Sequence, residues 1–305
     1  MKGLTLKHLR YLNALAIHAH FGRAAEACSV SQPALSIQIK DLESMIGAPL
    51  VERASRQVRL TSLGLDLVER ARDILAAVDE IGDLVRASQN ELTGKLRLGV
   101  IPTVAPYLLP EIVTALGRRF DRLDLMPREA ITQSLVQALE DHTLDAAIVA
   151  LPISDPTLRE FALFDEDFVL VRSNMDAEKP IPSPARLHEM RLLLLEEGHC
   201  FRDQALSFCD PEAAKSREVM EGNSLSTLVQ MVSAGIGLTL IPEMAVPLET
   251  RSADVCVSRF ATQTPRRTIG MIWRKSNPIS DQLLQVGAIV RGIGQKRRDE
   301  IARLL

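Results

Sequence analysis

The pattern of apolar residues changes near residue 91, and this change limits the chain to a two-part architecture. Before residue 91 the apolar residues fall at helical spacing, through residues 5–20, 22–27 and 31–47 and through the long segment 62–88. After it, "ELTGKLRLGV" begins an alternation of strand-like and helical segments. Such alternation is typical of parallel βαβ units. The sequence therefore predicts a helical N-terminal module followed by a larger α/β domain.

The N-terminal module has the spacing of a helix-turn-helix followed by a wing. A short helix at residues 22–27 is followed by a turn, by Ser31 as a helix cap and by a helix that ends near Gly47. The stretch "PLVERASRQVRLT" then gives two brief strand-like runs around a basic turn. Residues 1–62 hold eight Lys or Arg and four Asp or Glu, in a chain whose net charge is −3. A basic module on an acidic remainder predicts DNA binding at one end only.

The third helix would be the recognition helix, which needs short polar side chains near its N-terminus to read base edges. Gln32 is the strongest candidate base reader, because a glutamine amide can pair with adenine through two hydrogen bonds. The wing arginines are expected at phosphates or in the minor groove. The predicted DNA-contacting residues are Ser31, Gln32, Pro33, Ser36, Gln38, Arg53 and Arg56.

A heptad seam runs along the segment 62–88. Its members, which alternate spacings of four and three, are Leu67, Ala71, Ile74, Val78, Ile81 and Val85. The seam has two interpretations: the helix packs on its own domain, or it pairs with a second copy of the chain. We favour the dimer contact, because a helix that links two domains has little else to bury its seam.

Neither a membrane span nor a secretory signal is evident in the sequence. No apolar run approaches the roughly 18 residues that a span needs, and the N-terminus shows helical spacing in place of a cleavage site. We therefore expect a cytoplasmic protein, and structural disulfides are rare in the cytoplasm. The cysteines are predicted to be free thiols, and any disulfide to be transient; they are Cys28, Cys200, Cys209 and Cys256.

The segment "EEGHCFRDQALSFC" carries two of these cysteines, nine residues apart. Gly198 interrupts the preceding strand, so Cys200 is expected in the first turn of a helix, where a thiolate is favoured, beside His199 and Arg202. The spacing does not match a metal clip, so no metal site is predicted. Within one helix the two Cα atoms would lie about 13 Å apart, whereas a disulfide needs less than about 7 Å. The pair is therefore either two inert buried thiols or a switch whose disulfide requires the helix to unwind.

The chain resembles the LysR-type family of transcriptional regulators over its whole length. The segments that carry the resemblance are "HFGRAAEACSVSQPALSIQIKDLE", "RASRQVRLTSLG" and "LRLGVIPTVAPYLLP". It implies an all-α winged helix-turn-helix domain at residues 1–61, a linker and dimerisation helix at 62–91 and a regulatory (effector) domain at 92–305. That domain is expected to be α/β, of the periplasmic-binding-protein type. Subdomain I would take residues 92–165 and 268–305, and subdomain II residues 166–267.

A narrower resemblance, to peroxide-sensing members of that family, comes from "GHCFRDQALSFC", "IPTVAPYLLP" and "PRRTIG". It implies that Cys200 reacts with hydrogen peroxide to give a sulfenic acid, with which Cys209 then forms a disulfide. The departing oxygen needs hydrogen-bond donors. Two threonines fall where a predicted strand gives way to a helix, an edge at which α/β sheets bind ligands. The expected peroxide-binding residues are Thr103, Thr132, His199, Arg202, Asp203, Arg266 and Arg267.

The resemblance also implies the class of protein and its partners: a regulator that is not an enzyme and needs no cofactor. The expected partners are double-stranded DNA at promoter operators, hydrogen peroxide, further copies of the chain in a dimer or homotetramer, RNA polymerase, and thiol reductants such as glutaredoxin with glutathione or thioredoxin. One alternative is a LysR-type regulator that binds a small metabolite in its cleft, with Thr103 and Thr132 on a carboxylate. Another is a peroxide-consuming thiol enzyme, against which the DNA-binding module argues.

Two places depart from the family's pattern. Asp210 and Pro211 directly follow Cys209, where the family tends to keep an aromatic residue, so the travel of Cys209 or the stability of the oxidised form could differ. Val51 stands where the family commonly has a larger apolar residue, which affects packing and not chemistry.

Overall fold

The structure is a computed structural model that describes residues 3–52, 58–87, 92–187, 190–209, 220–260 and 264–304. It divides into two compact units, Met1–Val85 and Arg86–Leu305. Among the helices so described, none is long and apolar enough to cross a membrane.

The first unit is a winged helix-turn-helix, as predicted. Its elements are α1 (Leu6–His18), α2 (Phe21–Ala27), α3 (Gln32–Ile46), β1 (Val51–Glu52), β2 (Arg59–Leu60) and α4 (Ser62–Ala87). The first helix is shorter than the predicted 5–20 because Ala19 adopts a left-handed conformation with φ 46°, which ends it. At the other end Thr5 and His8 form a capping box. The third helix begins at its predicted cap, where Ser31 accepts from the backbone N–H of Ala34.

The core of this unit consists of apolar side chains from all four helices. It includes Leu12, Leu15, Leu35, Ile39, Leu42 and Val68. Val51, which stands where the family commonly has a larger apolar residue, belongs to the same cluster. Along α4, Ala71 is buried, whereas Ile74 and Ile81 are 44% and 61% exposed. The seam therefore presents two large apolar side chains to solvent in a single chain, and the side chain of Val85 lies outside the described residues.

The second unit is an α/β domain, as the alternating pattern predicted. Its strands are β3 (Gly94–Val100), β4 (Leu123–Glu129), β5 (Ala146–Leu151), β6 (Leu158–Ser173), β7 (Leu192–Leu195), β8 (Met220–Gly222), β9 (Leu238–Pro242), β10 (Val255–Ser258) and β11 (Arg266–Arg274). Its helices are α5 (Ala105–Arg119), α6 (Thr132–Glu140), α7 (Pro184–Leu187), α8 (Cys200–Cys209), α9 (Leu225–Ser233), α10 (Val246–Glu249) and α11 (Ser280–Ala302).

The sheet joins two parallel groups of strands through a long antiparallel pair. The strand order is β4-β3-β5-β11-β6-β9-β7-β8, and β10 also pairs with β6. β3 runs parallel to β4 and β5 in one group, and β7 runs parallel to β8 and β9 in the other. Between the groups β11 pairs along its whole length with residues 158–167 of β6. This pairing of β6 with β11 places Glu166 and Arg267, which are distant in sequence, opposite each other.

Strands β3 and β5 of the first parallel group lie in the covered interior of the sheet. β5 is a run of small and β-branched residues, "AAIVAL", and its first five residues are buried because both faces of the sheet are covered. Helix α6 packs closely on β3, since a Cβ added at Gly99 would lie 2.6 Å from Leu135 Cδ2. The helix predicted to begin at Thr103 begins at Ala105, so Thr103 lies in the turn between β3 and α5.

Candidate functional site

Cys200 is the first residue of α8, at the position that the sequence predicted. Gly198 has φ +93°, a backbone conformation that turns the chain after β7, and the helix begins two residues later. A Cβ at Gly198 would lie 3.0 Å from Ile131 Cδ1, so this turn lies against the residue that precedes α6. The thiol is free and half-buried, and it packs against the main apolar core. Its helix-terminal position and partial access are those of a reactive cysteine.

Thr132 follows Ile131 as the first residue of α6. Its Oγ1 is buried, and it has no hydrogen-bond partner among the described residues. A buried hydroxyl without a partner is costly in a folded protein, so it usually marks a bound water, ion or ligand. Because its neighbour Ile131 lies against Gly198, Thr132 is one residue along the chain from a contact with the Cys200 turn.

A buried ion pair holds the second threonine, Thr103. Arg267 Nε donates to Glu166 Oε2 at 2.9 Å. The same guanidinium donates from Nη1 to Thr103 Oγ1 at 2.7 Å and from Nη2 to the Thr103 carbonyl at 3.1 Å. All three residues are 3% exposed. Burial raises the pKa of Glu166, while Arg267 and the Met244 N–H oppose that rise.

Two aromatic rings connect this network to the cysteine helix. The guanidinium carbon of Arg267 lies 5.8 Å from the ring centres of both Phe168 and Phe201, a cation–π distance. The two rings themselves are 4.8 Å apart. Phe201, which directly follows Cys200, lies near the predicted ligand Arg267. Gly198, two residues before Cys200, lies against Ile131, the neighbour of the predicted ligand Thr132. The structure thereby brings Cys200, Thr103, Thr132 and Arg267 into one region.

The remaining predicted peroxide ligands are placed differently. Arg266 forms an ion pair with Asp167 at 3.0 Å, and its side chain is 64% exposed, because neighbouring residues of a strand point to opposite faces. Arg202 donates to the Leu195 carbonyl at 3.1 Å and pairs with Glu221 on β8. The structure therefore does not bring Arg266 or the charge of Arg202 together with the threonines. The side chain of Asp203 lies outside the described residues.

His199 precedes the cysteine and is half-buried. Burial lowers the pKa of His199 below its ordinary value of 6.5, and the Glu196 carboxylate partly opposes that effect. At neutral pH its ring is thus predominantly uncharged and supplies one N–H donor in place of a positive charge.

Cys28 and Cys256 lie at a helix end and in a strand, not in the Cys200 turn. Cys28 caps the end of α2, where burial raises the pKa of its thiol and the charge of Arg10 partly opposes that rise. Cys256 lies on β10 and its Sγ donates to the Ser173 carbonyl at 3.6 Å. Within the described ranges no group of three His, Cys, Asp or Glu side chains is arranged to hold a metal. The side chain of Cys209 lies outside those ranges, and its backbone is the last residue of α8.

The predicted DNA-contacting surface is formed at the start of α3. Ser31, Gln32 and Pro33 are exposed, and Ser36 is half-buried. Gln38 is also half-buried, and its Nε2 donates to Asp41 at 3.3 Å. Arg53 and Arg56 of the wing lie outside the described residues.

Sequence reasoning missed Ile37, which is 57% exposed between Ser36 and Gln38. It also missed Glu166, Phe168 and Phe201 in the α/β domain. The signal for Ile37 was its place on the polar side of the helix pattern. In "FDEDFVLV" the signal for Glu166 was its position between Phe164 and Phe168 at a spacing of two, which puts it on the apolar face of a strand.

Two family models match the chain. Residues 6–65 match the bacterial regulatory helix-turn-helix protein of the LysR family, and residues 89–292 match the LysR substrate binding domain. Together these two models span the helix-turn-helix of the first unit and most of the α/β domain.

Curated proteins match along nearly the full length. The chain is 40% identical over 290 residues to the hydrogen peroxide-inducible genes activator of Dickeya chrysanthemi, with 94% of this chain and 95% of that one covered. It is 39% identical over 290 residues to the DNA-binding transcriptional dual regulator OxyR of Escherichia coli, with the same coverage.

Solved structures of similar proteins also match. A cysteine-to-aspartate variant of full-length OxyR from Pseudomonas aeruginosa has a TM-score of 0.75 and 35% identity, with 95% of this chain and 96% of that one covered. A cysteine-to-serine variant of OxyR from Corynebacterium glutamicum, with hydrogen peroxide bound, has a TM-score of 0.67 and 32% identity, with 98% and 95% covered.

Proposed function

Because the chain belongs to the LysR family of bacterial transcriptional regulators, we propose that it senses hydrogen peroxide through Cys200 and switches the transcription of oxidative-stress defence genes. Relatives at about this identity are named as hydrogen peroxide-inducible activators, and one similar structure has peroxide bound. A single observation carries the assignment of the site. The chain around a helix-terminal thiol contacts Ile131, the neighbour of Thr132, and the guanidinium of Arg267, and Thr132 Oγ1 is buried without a partner in the described residues.

The first chemical step is oxidation of Cys200. Its thiolate donates an electron pair to one oxygen of hydrogen peroxide, the O–O bond breaks, and the other oxygen leaves with the electron pair as hydroxide. The products are a sulfenic acid on Cys200 and hydroxide, which takes a proton to become water. The developing negative charge on the leaving oxygen is stabilised by fixed donors. Arg267, Thr103 and Thr132 supply them, and neutral His199 supplies one more N–H.

The second step joins the two cysteines. The Cys209 thiolate attacks the sulfenic sulfur and displaces hydroxide, which again becomes water, so one peroxide oxidises two thiols to a disulfide. As the two ends of α8, these residues have Cα atoms about 13 Å apart. Since a disulfide requires about 7 Å or less, α8 must unwind. The reduced and oxidised proteins are then two different packings, which is the physical basis of the switch.

The switch acts on DNA that the N-terminal unit binds. Members of this family bind DNA and act as oligomers. In the proposed organisation residues 1–61 bind operator DNA, 62–91 link and dimerise, and 92–305 sense peroxide. β6 and β11 would form the border between subdomains I and II. The exposed Ile74 and Ile81 support a dimer contact along α4. We further propose a homotetramer, a contact with RNA polymerase, a cytoplasmic location, and reduction of the disulfide by glutaredoxin with glutathione or by thioredoxin.

The test is mass spectrometry of the reduced full-length protein after brief exposure to low-micromolar hydrogen peroxide, with free thiols alkylated before digestion. We expect a Cys200–Cys209 bridge within seconds, and an altered footprint on operator DNA. Cys256→Ser is the matched control, because that thiol donates a hydrogen bond to the Ser173 carbonyl of the neighbouring strand β6 and its loss should leave the bridge unaffected. If Cys200 and Cys209 both remained alkylated while a carboxylate metabolite stabilised the protein, the metabolite-binding alternative would replace this proposal.

A further inference from the structure

We propose that Glu166 is a positioning residue for the peroxide reaction, which fixes Arg267 and, through it, the hydroxyl of Thr103. This inference rests on the proposed function and names a residue outside the set that the sequence indicated. Glu166 lies on β6 directly opposite Arg267 on β11, so the sheet itself places the two side chains together. The pair is buried, with side-chain exposures of 3% and 0%.

The carboxylate of Glu166 is held at both oxygens. Oε2 accepts from Arg267 Nε at 2.9 Å and lies 2.8 Å from Arg267 Nη2. Oε1 accepts from the backbone N–H of Met244 at 3.0 Å. A carboxylate fixed by the backbone on one side is a rigid reference point for the guanidinium on the other. The rings of Phe168 and Phe201 lie near the same guanidinium and limit its tilt.

The hydrogen-bond donors of Arg267 show what this arrangement leaves for a ligand. A guanidinium has five N–H groups. The edge formed by Nε and Nη2 faces Glu166, and the end formed by Nη1 and Nη2 donates to Thr103 Oγ1 and to its carbonyl. One N–H of Nη1 therefore has no acceptor among the described residues. Thr103 Oγ1 already accepts from Arg267, so its own hydrogen is directed elsewhere.

Two polarised hydrogens thus remain for the peroxide oxygens, one on Arg267 and one on Thr103. Both directions depend on the guanidinium keeping its orientation, which Glu166 sets. Without the carboxylate the guanidinium can rotate about its side chain, and its Thr103 contacts and its remaining N–H turn with it. The donors would still be present, but they would no longer be fixed where charge develops, and fixed donors are the ones that lower the barrier.

The experiment compares two reactions of the same thiol in the full-length protein. The rate of Cys200 oxidation by hydrogen peroxide depends on the oxygen donors, whereas its alkylation by iodoacetamide depends on thiolate access alone. Both are measured at pH values where each rate has reached its plateau. For Glu166→Gln we expect peroxide oxidation to slow by about 10-fold to 100-fold, with alkylation changed by less than about threefold. Glu166→Asp keeps the charge but shortens the side chain, so its rate of peroxide oxidation should fall between those of the wild type and Glu166→Gln.

Glu166→Asp also decides the question if Glu166→Gln fails to fold because it leaves a buried arginine uncompensated. An unchanged peroxide rate in a folded variant would overturn the inference, and so would equal losses in both reactions, which indicate a structural role. If wild-type Cys200 itself reacted with peroxide no faster than an ordinary thiol, the proposed function would fail. A fast wild type with an equally fast Glu166 variant would refute the positioning role alone.

Discussion

Helices α5 and α8 both begin at the candidate site, since Thr103 lies two residues before α5 and Cys200 is the first residue of α8, but α5 is the longer by five residues. α5 buries five side chains, from Ala105 to Leu116. In addition, Tyr107 donates to Glu249 on α10 at 2.7 Å. In α8, Phe201 and Ala205 are the buried ones among the side chains that the structure describes. The donor residue Thr103 therefore precedes a helix of fifteen residues that also bonds to α10, and the reacting residue Cys200 begins a helix of ten.

This difference suggests how one domain can both catalyse and switch. Oxidation needs donors that do not move, which a well-packed helix and a buried ion pair provide. Disulfide formation needs a helix that can unwind at low cost, and a helix of ten residues has fewer backbone hydrogen bonds to lose than one of fifteen. The comparison predicts that changes at the two helices have different consequences.

The largest effect is expected from removing the reacting sulfur. Cys200→Ser should abolish disulfide formation, because serine has no thiolate to attack the O–O bond. Operator binding in the reduced form should persist, since α3 belongs to a separate unit. Non-reducing mass spectrometry and DNA footprinting measure the two properties. A peroxide-dependent footprint in Cys200→Ser would show that another group senses peroxide.

The next effect concerns the fixed donor. Thr103→Val should slow Cys200 oxidation by about 100-fold, the typical cost of one donor to a developing oxyanion, measured by stopped-flow with peroxide. Thr114→Val is the matched control: Thr114 lies on α5, is exposed and donates to Pro110. An equal loss in both variants would mean that the packing of α5 matters and the donor does not.

A third test weakens each helix in turn. Phe201→Ala and Leu108→Ala each remove a fully buried side chain, and each should destabilise the domain by about 2–5 kcal/mol, measured by urea denaturation. The disulfide should form more readily after Phe201→Ala, because the reduced packing of α8 is selectively weakened. Thiol–disulfide equilibration against a glutathione buffer would detect this. Equal equilibria in the two variants would remove the distinction between the helices.

The smallest effect concerns His199. Because burial lowers its pKa below 6.5, the folded protein binds this proton less readily than the unfolded chain does. Its contribution to stability is therefore present above pH 6.5 and is lost as the pH falls toward the folded-state pKa. NMR titration of the ring should give a midpoint below that of a histidine peptide. A higher midpoint would place a cation beside the thiol at neutral pH.

The sequence predicted the parts of the site that depend on local signals. Gly198 before "CFRDQALSFC" was enough to place Cys200 at a helix start, and a strand-to-helix change was enough to place Thr103 and Thr132. It could not choose between Arg266 and Arg267, because that choice depends on which face of β11 packs inward.

Long-range pairing explains the other omissions. Glu166 meets Arg267 across 101 positions of sequence, through a strand register that no local pattern encodes. In the same way, Arg202 was expected near peroxide, but its pairing with Glu221 on β8 depends on how α8 packs beside the sheet.

The most direct test of the account is hydrogen–deuterium exchange of the reduced protein and of the peroxide-treated protein, followed by peptide over α5 and α8. Amide exchange reports local unfolding of each helix. We predict that α8 loses its protection when the Cys200–Cys209 disulfide forms, while α5 keeps it. If the disulfide formed and α8 stayed as protected as before, the helix would not be the switch and the central claim would be wrong.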